Sequence, residues 1–480
     1  MSTMVPMCGF GGGAAKTKLI IQLSASNGTS LAGQAVTVTE LNSGLEIASF
    51  SYSGQPETLK LPAGITYKVS TVDRMAFVTP EPVTGVLVDD TTVVLSFMAC
   101  TRYGYRREKA NSDPNTRITY LFDAVGKEPM YVNLSTHAPV WGDWKDFVYE
   151  VATPVMLNTD GTEAYELNRE NQTLKATGES SDVANSAFDG NAMVRFSGKW
   201  KWVKRYEDAS YQYVIFADGQ PDETYKAQAH TNVNGKIMDR FYWGMFKGGN
   251  VGSKLRSIAG LSIMVNQTRN TEVAYAQAIG AGYDTIYNSG WQYIADLLTL
   301  VSKNDHGQAA FGSGRSKSSN TAAIVTGTTK TYGPFWGASD ETSDVKVFWI
   351  EGFWGNVWEG MRGLINYNGN IKAKMVPPYN FDGAGYVSTG KVPAGTSGGF
   401  IDTAYMDSEV GFVPITANGS GTTYYCDGMW FNNGQVDYAL VGGRWADALG
   451  CGPRFVTLSN LASQTSATVG SRLSFIPPAA

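Results

Sequence analysis

Four cysteines, three histidines and one tight group of acidic residues are the side chains of this 480-residue sequence that could do covalent or metal chemistry. Thiols that hold a metal come at short spacings such as C-x2-C. Cys8, Cys100, Cys426 and Cys451 show no such pairing. They read as free thiols of a protein made in a reducing cytosol, with a Cys426–Cys451 disulfide as the alternative. His137, His230 and His306 lie far apart, which spells out neither a histidine-rich metal site nor a nucleophile motif such as G-x-S-x-G. Asp340, Glu341 and Asp344 fall in one short segment. Two carboxylates can serve glycoside hydrolysis, and clustered oxygens suit Ca2+. No D-x-D-x-D-G loop surrounds them, and a solvated turn is the plainer reading. The expectation is a protein that is not an enzyme and needs no cofactor or metal. A glycan-active enzyme is the rival class.

Charge narrows the partners. The sequence holds 38 Lys and Arg against 43 Asp and Glu, a net −5 at pH 7. Binding a phosphate backbone needs a basic face, so no nucleic acid partner is expected. The densest basic cluster, Lys199, Lys201, Lys204 and Arg205, reads as a solvated strand edge. No apolar run approaches the roughly 18–20 residues that cross a bilayer, and no membrane insertion is expected. Met1 to Ala15 is small and Gly-rich, with no basic residue before Lys16, and does not resemble a secretory leader.

The elements that must position these side chains fall into four stretches. Residues 1–16 read as a flexible docking arm, because Gly9 and Gly11 to Gly13 hold no regular element cheaply. Residues 17–100 alternate short strands rich in Val, Ile, Leu and Thr with turns such as Asn27-Gly28 and Pro62-Ala63-Gly64. That spacing predicts an all-β sandwich. The runs Gly33-Gln34-Ala35-Val36-Thr37-Val38 and Leu59-Lys60-Leu61-Pro62-Ala63-Gly64-Ile65-Thr66-Tyr67 resemble immunoglobulin-like and carboxypeptidase-regulatory-like spacer domains. All 12 tryptophans lie between Trp141 and Trp445, so the first segment packs a different core. Residues 101–190 are polar and turn-rich and read as a β-rich connector.

Residues 191–480 read as one α+β unit. Ala192 to Val203 predicts a strand with Trp200 and Trp202 on one face. Glu272 to Ile279 predicts a helix. So does Trp291 to Lys303, where Ile294, Leu297, Leu298 and Val301 make an apolar stripe. Gly312 to Asn320 reads as a mobile loop.

Three segments then carry identity: Phe348 to Glu359 (F-W-I-E-G-F-W-G-N-V-W-E), Gly442-Gly443-Arg444-Trp445 with Gly450-Cys451-Gly452-Pro453, and Val469 to Phe475 (V-G-S-R-L-S-F). Asn356 and Glu359 read as buried polar staples, and Arg472 in its apolar strand needs a partner such as Glu359 or Glu351. In this order, over residues 191–480, the segments resemble the C-type-lectin-like fold. The variant is the one shared by formylglycine-generating-enzyme-like domains and the variable receptor-binding proteins of phages, including those diversified by a retroelement. The formylglycine-generating relatives need a reactive Cys pair in a motif that Cys426 and Cys451 do not reproduce.

Between the framework segments, Arg444 to Thr468 is polar, aperiodic and bracketed by Gly-containing strands, where recognition loops sit. The resemblance implies that this window contacts a receptor. The carried-over candidates are Arg444, Trp445, Asp447, Leu449, Arg454, Val456, Ser459, Asn460, Ser463, Thr465 and Ser466. It further implies a tail-fibre-type phage virion protein and a homotrimer. Its partners would be a bacterial surface polysaccharide or protein receptor and, through the N-terminal arm, other virion proteins. A purely structural head-fibre, decoration or baseplate protein is the alternative.

Overall fold

The computed structural model describes residues 16–74, 76–390, 398–432 and 434–478. The docking arm and Cys8 therefore lie outside the described residues, apart from Lys16. The chain is β-rich and divides into two compact units, one of residues 1–102 with 217–225, the other of residues 103–216 with 226–480.

The first unit contains β1 (Lys16–Ala25), β2 (Ala35–Glu40), β3 (Glu46–Ser51), β4 (Glu57–Pro62), β5 (Thr66–Thr71), β6 (Phe77–Val78), β7 (Val83–Val86) and β8 (Thr91–Ala99). They form two four-stranded sheets, ordered β4-β1-β8-β6 and β3-β2-β5-β7. Alternation explains the sandwich. Leu19, Ile21 and Leu23 of β1 and Val93, Leu95 and Phe97 of β8 face inward and meet Val36, Val38, Tyr67 and Val69 of the other sheet in one core. Residues 217–225 join this unit through Asp218, whose carboxylate accepts from the Thr101 amide at 2.7 Å.

Residues 103–190 are not a separate connector. The strands Arg102–Glu108 and Ile118–Phe122 share a four-stranded sheet with Tyr211–Ala217 and Trp202–Glu207. Ala152–Asn158 and Glu163–Glu166 belong to a six-stranded antiparallel sheet that continues through Gly190–Ser197, Arg240–Lys247, Arg472–Phe475 and Tyr283–Thr285. The chain's last strand thus lies inside this sheet. A third, eight-stranded sheet carries Trp358–Tyr367, Val436–Val441, Val456–Asn460 and Gly428–Phe431 as neighbours in that order.

Among the described residues the second unit also holds the helices α1 (Lys145–Val151), α2 (Arg269–Gln277), α3 (Asn288–Ser302) and α4 (Gly307–Phe311). The structure places α2 and α3 close to the two helices read from periodicity, but α3 is not amphipathic. All of its residues are buried, so the predicted stripe is one side of a fully enclosed helix. Its one acid, Asp296, lies between Arg205 Nε (2.7 Å) and Arg454 (2.5 Å). Burial disfavours that carboxylate, but the two guanidinium groups more than offset it and hold its pKa below the ordinary range. Arg205 is therefore core, not part of a basic edge. Lys199 and Lys201 of the same cluster pair with Glu150 and Asp239.

The predicted strand over 192–203 breaks at Gly198–Trp200, a 3-10 turn capped by Ser197. A side chain at Gly198 would meet the Asp239 backbone at 2.4 Å, so the chain must turn there on glycine. Trp200 is buried as a consequence, while Trp202 begins the next strand. The loop Gly312 to Asn320 is fastened: Ser316 and Lys317 amides donate to the Glu341 carbonyl at 2.9 and 3.0 Å, and Ser316 accepts from the Ala448 amide.

His230 is fully buried between Phe241 and Tyr293. Burial pushes its pKa from 6.5 down to about 3, so the folded protein keeps it neutral. The unfolded chain takes up that proton below about pH 6.5, and the folded state loses stability as pH falls from there toward 3, by up to about 1.4 kcal/mol per pH unit. Asp344 works in the opposite sense. Burial, and then repulsion from Glu351, pushes it up to about 7, so it gains stability as pH falls from 7 toward 4. The His230 contribution is isolated by difference: His230→Phe is expected to lose less Tm between pH 7 and pH 4.5 than the parent. An identical pH dependence in both proteins would contradict this assignment.

Candidate functional site

Arg472 meets Glu359, one of the two carboxylates read as its partner. Arg472 and Glu359 are fully buried, and Arg472 Nε and Nη2 donate to the two Glu359 carboxylate oxygens at 2.9 and 3.0 Å. The remaining guanidinium hydrogens go to the carbonyls of Gly244, Met245, Glu351 and Gly352. Lys247 adds a second buried cation on Glu359. Burial alone would raise the Glu359 pKa, but Arg472 and Lys247 outweigh it and hold the group below the ordinary range. The Glu351 carboxylate is not the partner of Arg472. It caps the amides of Gly327 (2.6 Å) and Thr329 (2.7 Å).

Asn356 is the second staple. Its side chain accepts from the Ile324 amide at 3.1 Å and donates to Asp344, and its φ of 67° is one that asparagine tolerates better than most residues. Asp344 is buried while Asp340 is exposed at a turn, so the three acids of that segment do not converge.

This framework holds the window at both ends. The Asn356 carbonyl accepts from the Trp445 amide (3.0 Å), Gly355 donates to Gly442 (3.1 Å), and Trp358 donates to Thr468 (3.0 Å). At Gly443 (φ 82°) a Cβ would sit 2.5 Å from Cys451 Sγ, so the G-G-R-W turn requires glycine there.

The window's outer face forms a concavity of about 250 Å³ lined by Trp358, Trp430, Arg444, Asp447, Thr457, Ser459 and Asn460. Register places it. Trp430 and Thr457 are cross-strand partners in a parallel pair, and Ser459 follows on the same face. Met429, Phe431, Val456 and Leu458 alternate to the other side and are buried. Trp430 is 37% exposed, although it is one of the largest side chains. Cβ atoms built on Gly398 and Gly428 would lie 2.3 and 2.6 Å from its indole, so these glycines make the room for the ring to lie on the sheet. Trp358 donates its indole N–H to Asp447 at 2.7 Å, and the Arg444 guanidinium lies 4.7 Å from a Trp358 ring centroid. Asp447 also takes Arg444 Nε at 3.0 Å, which fixes the guanidinium plane.

Of the eleven candidates, Arg444, Asp447, Ser459 and Asn460 line this concavity. Ser463 and Thr465 are exposed and Ser466 half-buried on the following turn, and Leu449 is exposed beside Gly421; these do not line it. Three face inward. Trp445 packs with Ile263 and Val357, Val456 points into the core, and Arg454 is committed to Asp296. Trp358, Trp430 and Thr457 were missed. The run Gly428-Met429-Trp430-Phe431 held the signal: adjacent strand residues face opposite ways, so one of the two aromatics must point outward.

No family model matches the chain, and no curated protein matches it. Among solved structures, the Major Tropism Determinant U1 variant aligns at 11% identity over 95% of this chain and 98% of that one, with a TM-score of 0.27. The shaft pilin spaA from Lactobacillus rhamnosus GG aligns at 12% identity over 37% of this chain and 73% of its own, with a TM-score of 0.17. The Bacillus anthracis TIE protein aligns at 11% identity over 38% of this chain, which spans only 28% of that protein, with a TM-score of 0.16. Scores this low assign neither a partner nor an activity.

The thiols near the site are free. Cys426 and Cys451 are unbridged, and burial pushes both thiols up, which depletes the thiolate that redox or nucleophilic chemistry uses. Among the described residues no three His, Cys, Asp or Glu side chains are gathered as metal ligands. No helix among them is long and apolar enough to cross a membrane.

Proposed function

We propose that this chain is a phage virion adhesin that attaches the particle to a bacterial surface through the Trp358–Trp430 concavity. The observation that carries this reading is the exposed indole of Trp430, set among five polar side chains on a sheet that is clamped from behind. Tryptophan is enriched among the side chains that carry most of the binding energy at interfaces, and here one lies on the surface beside fixed polar groups. The virion setting rests on the resemblance of the framework segments. In this reading the N-terminal stretch docks to other virion proteins and the sandwich spaces the tip. A homotrimer would let weak single sites give firm attachment by avidity.

The test is saturable binding of the purified protein to intact cells of candidate host bacteria. A variant carrying Trp430→Ala, Arg444→Ala, Ser459→Ala and Asn460→Ala should keep the parent's circular dichroism and lose at least tenfold in binding. Unchanged binding by the folded variant would move the site elsewhere.

A further inference from the structure

We infer that the concavity takes a hexopyranose unit of a surface glycan, stacked on Trp430; this rests on the adhesin reading above. Three features of the site point to a sugar and away from a peptide. The first is size: about 250 Å³ lies below the usual range for drug-sized ligands and suits one or two sugar rings.

The second is the lining. A pyranose offers an apolar C–H face and a rim of vicinal hydroxyls. The indole of Trp430 supplies the flat apolar partner. Around it stand the hydroxyls of Thr457 and Ser459, the amide of Asn460 and the guanidinium of Arg444. Thr457 and Ser459 hydroxyls are 2.7 Å apart, so they act as one donor–acceptor pair. Arg444 is already stacked on Trp358 and tied by Nε to Asp447, which leaves its terminal nitrogens as a pre-set fork of donors beside an equal and opposite charge. Locally balanced charge favours a neutral sugar over an acidic one.

The third is backbone. The strand Val456–Asn460 pairs on both sides, with Gly428–Phe431 and Val436–Val441, so it offers no free edge for an extended peptide to join. A protein ligand would find two indoles here, Trp430 and Trp358, with polar side chains lining the rest of the hollow.

The experiment compares binding of the full chain to host cells before and after two treatments. Periodate cleaves vicinal diols of sugars, and a broad-specificity protease strips surface proteins. Binding is expected to survive protease and to fall at least tenfold after periodate. Polysaccharide released from the same cells should perturb the protein's tryptophan fluorescence. Binding of that polysaccharide, read by titration calorimetry, should be absent in Trp430→Ala and kept in Trp430→Phe, which loses the indole signal but retains a stacking ring. Ser459→Ala with Asn460→Ala serves as a second variant, with the Trp430 ring intact, and should weaken the titration at least fivefold. Binding that survives periodate and is lost to protease would overturn the sugar assignment while leaving the adhesin reading in place. No binding to any untreated cell would overturn both.

Discussion

Replacing Glu359 by alanine should lower the stability of the second unit by about 3–5 kcal/mol, the cost of leaving a buried cation unpaired. Two buried cations, Arg472 and Lys247, would lose the carboxylate they share. In a unit of this size that corresponds to a fall in Tm on the order of 5 °C, readable by calorimetry. The buried triad is nonetheless no source of net stability, because desolvating its charges costs about what their pairing returns. Glu359→Met combined with Lys247→Met and Arg472→Met removes all three charges together and should unfold at a higher temperature than Glu359→Ala alone. A single variant within about 2 °C of the parent would show that Glu359 does not hold these cations.

Asp296→Ala should cost a similar amount, about 3–5 kcal/mol, because Arg205 and Arg454 would both be stranded in the core. Its consequence reaches the surface by a short route. Arg454 stands at the foot of the strand Val456–Asn460, whose outer face lines the concavity. Amide hydrogen exchange at Val456, Thr457 and Leu458 should therefore accelerate in this variant beyond the change seen across β1 to β8. Exchange at those three amides that stays at the parent's rate would contradict the link between α3 and the site.

Much of the framework was legible in the sequence because its logic is local or electrostatic. Alternating residues spelled out the first sandwich, and the 3.6-residue period marked α3. An arginine in an apolar strand demanded a carboxylate, and Arg472 found Glu359, the first of the two partners expected. What periodicity could not give was which parts of a polar, aperiodic stretch turn inward. Arg454 and Trp445 look like surface side chains until α3 supplies Asp296 and the segment around Ile263 and Val357 supplies a wall. Lys247 ends an ordinary-looking strand, and only its pairing opposite Arg472 in the last described strand brings it beside Glu359.

The site itself was half legible. Four of the named candidates line it and Thr457 lies in the same window, but Trp430 comes from an earlier strand and Trp358 from the framework segment. Parallel pairing of Gly428–Phe431 with Val456–Asn460 brings Trp430 to the window, and a parallel partner leaves no signal in the intervening chain. Residues 101–190 were misjudged for a related reason. Their turn-rich composition is that of a connector, yet long-range strand pairing builds them into two sheets.

Attachment by this protein requires that the Trp430 face meet the bacterial surface. Hydroxyl-radical footprinting of the full chain, free and bound to host envelope fragments, tests this directly. Bound protein should show Trp430 protected at least threefold, with Trp358 following and Tyr131, exposed elsewhere in the second unit, unchanged. Trp430 labelled equally in both states, with protection confined to other residues, would contradict it.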